Sequence, residues 1–154
     1  MIELDLDTNG DARVPVKDLI GQALDFWVCL CLGQKVSDIQ AVTAPTPYSS
    51  SWIMGGPLLH MHNIAVAPLE PDFVNWVGVW HRPKKASSLI LPQSVQSGAP
   101  KLGAQGPTPL VAGMRAFVYG VGGNPGVLLP AAFHEIYKAE YAALVDTPAV
   151  HVSH

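Results

Sequence analysis

Apolar side chains at Leu19, Ile20, Ala23, Leu24, Trp27, Leu30 and Cys31 follow the i, i+3, i+4 spacing of a one-sided helix. This predicts a helix from about Val16 to Leu32, with Gly33 placed to stop it. Lys35 to Val42 fits a short strand. Pro45, Pro47 and Ser49-Ser50-Ser51 read as an ordered loop ending at Trp52, and Gly55-Gly56-Pro57 reads as a turn. Leu58 to Val66 then fits a turn of helix followed by a strand. The clearest strand pattern is Val74 to Trp80, with Val74, Trp76, Gly78 and Trp80 on one face and Val77 and Val79 on the other. Thr108-Pro109 has the N-cap and first-turn chemistry of a helix start, and Leu110, Met114, Phe117 and Val118 form its apolar face as far as Gly120. The stretch from Gly120 to Gly126 reads as a flexible turn. A last helix is expected from Ala131 to Val145, with Phe133, Ile136, Tyr137 and Leu144 inward. The remaining segments are an acidic N-terminal arm over 1–13, a long connection over 82–106 around Leu89-Ile90-Leu91, and a frayed tail over 147–154.

The pattern predicts a single domain over 1–154 of α+β class, a small, mostly antiparallel sheet packed by two or three helices. Composition sharpens this. Apolar residues are 49% of the chain and charged residues only 14%, against roughly a quarter in an ordinary domain. Such a chain buries a sizeable core, and its sparse charge with four Trp predicts a homo-oligomer, a dimer or higher, that covers apolar surface. A net charge of −3 argues against general nucleic-acid binding. No apolar run reaches 18 residues, and the acidic start Met1-Ile2-Glu3-Leu4-Asp5 is unlike a secretory leader, so no membrane association and a cytoplasmic setting are expected.

Several motifs invite a chemical reading. Cys29 and Cys31 fall on different helix faces, which suits two reduced, buried thiols rather than a disulfide or a shared metal. Asp7 to Asp18 matches a calcium-loop template except that Ala12 stands where the sharp turn needs Gly, so an acidic arm capping the first helix fits better. His60 and His62 could share a strand face, but no third ligand stands near them. His81-Arg82-Pro83-Lys84-Lys85 is the one basic cluster and reads as a solvated loop start. His134-Glu135 lacks the second His of a zinc-protease motif. Neither a nucleophile elbow, a phosphate-binding loop nor paired carboxylates appear, so no catalytic residue, metal or cofactor is expected.

The densest constellation joins two segments. Tyr48 and Trp52 offer aromatic faces on a Ser-rich loop with Ser49 and Ser51, and Gly55-Gly56 permits close backbone approach. Thr108 opens a helix whose N-terminus suits a phosphate, and Arg115 is the one charge on that apolar helix. Together they describe a nucleotide pocket. The plain alternative makes Trp52 core, Gly55-Gly56-Pro57 a turn, and Arg115 the ion-pair partner of Asp25.

Three segments also carry a resemblance. Val16 to Val28, Tyr48 to Leu59 (Tyr-Ser-Ser-Ser-Trp-Ile-Met-Gly-Gly-Pro-Leu-Leu) and Gly106 to Val118 (Gly-Pro-Thr-Pro-Leu-Val-Ala-Gly-Met-Arg-Ala-Phe-Val) resemble, in order, the signatures of the NinX-type family of small temperate-phage proteins. Ser51 stands where that pattern has an acidic residue and Met54 where it has Gln. Residues 1–13, 82–105 and the last helix are additions. The resemblance implies phage origin and a site over these signatures, and no reaction. The reading is therefore a phage-encoded, non-catalytic binding protein that sequesters a small nucleotide-type molecule of host immune signalling, held by Tyr48, Ser49, Ser51, Trp52, Gly55, Gly56, Thr108 and Arg115. The alternative is a protein–protein accessory factor of phage recombination or host machinery, with a nucleotide-processing enzyme third.

Overall fold

The computed structural model describes residues 4–40, 44–69, 75–81, 101–122 and 124–146. It is an α+β fold with two three-stranded antiparallel sheets where one was expected, and five α-helices among the described residues. The first sheet has the order β1-β2-β6, from Asp5–Leu6, Ala12–Pro15 and Gly126–Leu129. The second has the order β3-β4-β5, from Ile64–Pro68, Trp76–His81 and Lys101–Gly106. The helices are α1 (Gly21–Cys31), α2 (Val36–Gln40), α3 (Trp52–Met61), α4 (Pro109–Gly122) and α5 (His134–Asp146).

The N-terminal segment is a hairpin rather than an arm capping the first helix. The Asp7 carboxylate accepts the N–H groups of Asn9 and Asp11, both at 2.9 Å, and so closes the turn between β1 and β2. After Pro15 the chain makes one 3-10 turn, Val16–Asp18, and then Leu19 and Ile20 are extended. The first helix therefore starts at Gly21, not Val16. Ile20 offers no side-chain cap, and Glu140 of α5 supplies one from a distance: its carboxylate accepts the Gln22 N–H at 3.0 and 3.3 Å. Gly33, at φ +94°, ends the helix as expected, with the Gln34 N–H returning to the Cys29 carbonyl.

Two further segments differ from expectation. The stretch read as a strand from Lys35 holds the short helix α2. Gly55-Gly56-Pro57 lies within α3, which runs on to Met61; Asn63, at φ +56°, then turns the chain into β3. Strand β4 has the predicted faces, with Gly78 and Trp80 buried and Val77 and Val79 half-buried. The final six residues of the long connection, 101–106, form β5. Residues 1–3, Val74, the rest of that connection with Leu89-Ile90-Leu91 and Arg82 to Lys85, and the tail 147–154 lie outside the described residues.

Helix α4 is the hub. Every residue from Leu110 to Val118 is buried, with β3, β4 and β5 on one side and α1 and α3 on others. Leu24, Phe26 and Val28 of α1 join Met114, Phe117 and Val118, and each such side chain contributes roughly 1.5–3 kcal/mol by leaving water. Phe26 also meets Phe133 at 4.5 Å, and the Trp27 indole N–H donates to the Leu128 carbonyl at 3.0 Å, tying α1 to the first sheet.

The helix reaches the second sheet only because two strand positions lack a side chain. A methyl on Gly78 would lie 2.5 Å from the Ala112 carbonyl oxygen, and one on Gly106 2.8 Å from the Ala112 nitrogen. Gly78→Ala must lift α4 off the sheet, an overpacking cost of about 3 kcal/mol read as a lower urea midpoint. Gly103→Ala, whose methyl would meet only the Gly78 oxygen among the described residues, at 3.8 Å, leaves the midpoint nearly unchanged. Equal effects of the two substitutions would contradict this packing.

Candidate functional site

Helix α4 begins as its first residues dictate. The Thr108 hydroxyl accepts the Val111 N–H at 3.1 Å, and Pro109 occupies the first turn, where its missing N–H costs nothing. Two neighbouring stripes of the helix then do different work. Leu110 and Met114 face Gly55 of α3. Arg115 and Tyr119, four apart, line a cavity of about 1100 Å³.

Arg115 is 5% exposed. Its Nε–H donates to the Leu19 carbonyl at 2.7 Å and an Nη1–H donates to the Gln105 carbonyl at 2.8 Å. The break before α1 is what frees the Leu19 carbonyl, since a helix running through Val16 would have used it internally. Arg115 is thus not the partner of Asp25. Burial pulls its pKa down, and the nearby Asp18 carboxylate, then Tyr137 and Tyr141, oppose that. Among the described residues the one ion pair is Lys138 with Glu135, so no carboxylate neutralises Arg115 by direct contact.

The cavity runs along edge strand β5, between it and the Val16–Asp18 turn, with α5 closing one side. Lys17, Asp18, Gln105, Tyr119 and Tyr141 line it with Arg115. Two cations, one carboxylate and two phenols therefore share one space. Sequence reasoning found Arg115 alone of these. Tyr119, a polar ring four residues after Arg115, was the legible signal; Tyr141 reaches the cavity only through the docking of α5.

The other residues singled out from sequence lie elsewhere. Ser49 is buried, and its N–H donates to Asp25 at 2.8 Å. Tyr48 is half-buried on the same loop. Ser51 precedes α3, where its carbonyl accepts the N–H groups of Met54 and Gly55. A side chain at Gly55 would strike the Tyr48 carbonyl and Leu110, so this glycine serves helix packing. A methyl added at Gly56 would meet the Trp52 ring at 3.5 Å, an ordinary contact, and Trp52 is 56% exposed. None of these lines the Arg115 cavity, nor does Thr108, whose neighbour Pro107 does. His60 and His62 end α3 rather than sharing a strand, and the His62 ring packs on Phe117 at 4.8 Å. Cys29 and Cys31 are free thiols pushed up by burial, Cys31 to about 11, and both are protonated at neutral pH. Among the described residues no group of three or more His, Cys, Asp or Glu could hold a metal, and no helix is long and apolar enough to cross a membrane.

The Arg115 helix and its Gly-Pro-Thr-Pro start fall in a wider match: the family model for bacteriophage P22 NinX covers residues 15–120. The chain belongs to the NinX family. No curated protein matches it. Membership makes it a phage accessory protein and brings no activity with it. In this NinX-family chain the matched span holds α1 to α3, α4 as far as Gly120, β3 to β5, Lys17, Asp18, Arg115 and Tyr119, whereas β6 and α5 with Tyr141 lie beyond it.

Asp25 gives a solution test of the loop that leads into α3. Burial raises its carboxyl from the ordinary 3.8 to about 6, against the lowering by its Ser49 hydrogen bonds, with Glu140 adding to the rise. The folded state thus holds the proton more tightly than the unfolded chain. The cost of burying the ionised form is complete above about pH 7 and is relieved as pH falls to 4, a gain of about 2.5 kcal/mol. Urea unfolding from pH 7 to pH 4 should show the wild type gaining stability relative to Asp25→Asn. A constant difference between the two would refute the assignment.

Proposed function

We propose that this NinX-family protein is a non-catalytic binder that sequesters a small nucleotide-type molecule in the Arg115 cavity. One observation carries the reading: a guanidinium nine-tenths buried lines a cavity of small-molecule size, and its direct hydrogen bonds go to neutral carbonyls, with Asp18 acting on it only from beyond ion-pair distance. A buried cation of this kind is costly until an anion meets it, and its planar fork suits phosphate. Lys17 adds a second cation, and Tyr119 and Tyr141 add ring faces. For a phage, holding a nucleotide without turnover is useful when that nucleotide is a host immune signal in the infected cell's cytoplasm.

The test is depletion. Excess protein mixed with ribonucleoside mono- and diphosphates and cyclic nucleotides should remove at least one from the ultrafiltrate and release it intact on heating. Lys17→Glu should weaken that retention about tenfold or more without unfolding the chain, because Lys17 is exposed. Chemical conversion of the nucleotide would make the protein an enzyme, and no depletion of any nucleotide would sink the reading.

A second reading, a protein–protein accessory factor, rests on α3. Trp52 is 56% exposed, Ile53 85% and Met61 72%, on a helix without a charged Asp, Glu, Lys or Arg. Such a face suits a protein partner, and the low charge of the chain favours a second copy of itself. Light scattering at micromolar concentration should give twice 16.4 kDa or more for the wild type and 16.4 kDa for Ile53→Asp. A wild-type monomer would remove the homo-oligomer.

A further inference from the structure

Helix α5 reaches the cavity by a defined attachment. Both Glu140 carboxylate oxygens accept the Gln22 N–H, at 3.0 and 3.3 Å, over the otherwise uncapped start of α1. Gly21, at φ +57°, leaves the space that this carboxylate fills, and any side chain there would collide with it. The attachment sets the next residue, Tyr141, which lines the cavity. Tyr141 is half-buried and backed by the Tyr137 ring at 5.9 Å and 39°, and Tyr137 is itself only 1% exposed. A ring supported in this way is a fixed platform rather than a solvated side chain.

The other lining groups divide by chemistry. Arg115 and Lys17 call for an anion. Asp18 is the carboxylate of the cavity and acts electrostatically on both Arg115 and Tyr137. A bare polyphosphate would meet that carboxylate unfavourably and leave the tyrosines unused. A neutral aromatic molecule would bring no anion into contact with Arg115 or Lys17. A ribonucleoside mono- or diphosphate uses all three: phosphate on the cations, ribose hydroxyls on a carboxylate as in dinucleotide sites, and base against tyrosine.

We infer that Tyr141, on a helix beyond the NinX-matched span, is the base platform of the cavity and makes it select a ribonucleoside mono- or diphosphate over base-free phosphates. This rests on the reading of the Arg115 cavity as a nucleotide site. Selectivity among ligands therefore resides in the part of the chain that the family model does not cover.

Calorimetric titration of the full chain with ADP, ribose 5-phosphate and pyrophosphate tests it. The wild type should bind ADP at least about tenfold more tightly than either base-free probe. Tyr141→Ala should erase that advantage while leaving the affinities for ribose 5-phosphate and pyrophosphate as they were, and Tyr141→Phe should keep it. If Tyr141→Ala does not fold, Tyr141→Leu, which keeps the bulk without the aromatic face, takes its place with the same expected result. Equal weakening of all three probes, or no loss with ADP, overturns the assignment of Tyr141. Binding of the base-free probes as tight as that of ADP in the wild type overturns the selectivity but leaves an anion site at Arg115. Binding of none of the three overturns the inference together with the nucleotide reading beneath it.

Discussion

The Arg115 guanidinium is the fastening on which the rest of the fold depends. One buried side chain joins α4 to the Leu19 carbonyl before α1 and to the Gln105 carbonyl of β5. The Leu19 carbonyl, part of a buried bond, would otherwise be a desolvated acceptor, and an unsatisfied buried polar group costs about 1–3 kcal/mol. The same fastening explains why α1 does not begin where its apolar periodicity begins. Leu19 and Ile20 must stay extended for the carbonyl to be offered, so the helix starts at Gly21 and takes its cap from Glu140. Strand β5, the Val16–Asp18 turn, α1 and α5 are thereby placed around one cavity.

What was legible in the sequence was what local chemistry decides. Thr108-Pro109 starts α4, Gly33 ends α1, and the alternation in Trp76 to Trp80 orients β4. Misreadings came where tertiary contact overrode local preference. Gly55-Gly56-Pro57 has turn composition, yet Gly55 is needed for α3 to pass the Tyr48 carbonyl and Leu110, and packing holds the helix through it. Strands β1, β2 and β6 span two, four and four residues, too short for a periodicity to declare itself.

The site divides in the same way. Arg115 stood out because a lone charge on an apolar helix is conspicuous in any sequence. Its partners were not readable, because backbone carbonyls carry no residue signature. Asp25, the obvious carboxylate, turned out to serve the Ser49 amide. Tyr141 joins the cavity through Glu140 and Gln22, which are 118 positions apart, and no local pattern encodes that meeting. The signature around Trp52, conspicuous for the same reason as Arg115, belongs to a different face of α4.

The pairing of β2 with β6 brings Ala12 beside Leu129, so β2 waits for a strand more than a hundred residues further along the chain. During synthesis from the N-terminus, the ribosome must deliver the second sheet and α4 before the first sheet can close. Long-range pairing of this kind is slow, because loop closure must precede any reward from contact. Helix α5 emerges later still. The pocket wall it carries therefore arrives after the other walls of the cavity, and a growing chain passes through a stage in which the Arg115 hub is packed while the cavity beside it still stands open.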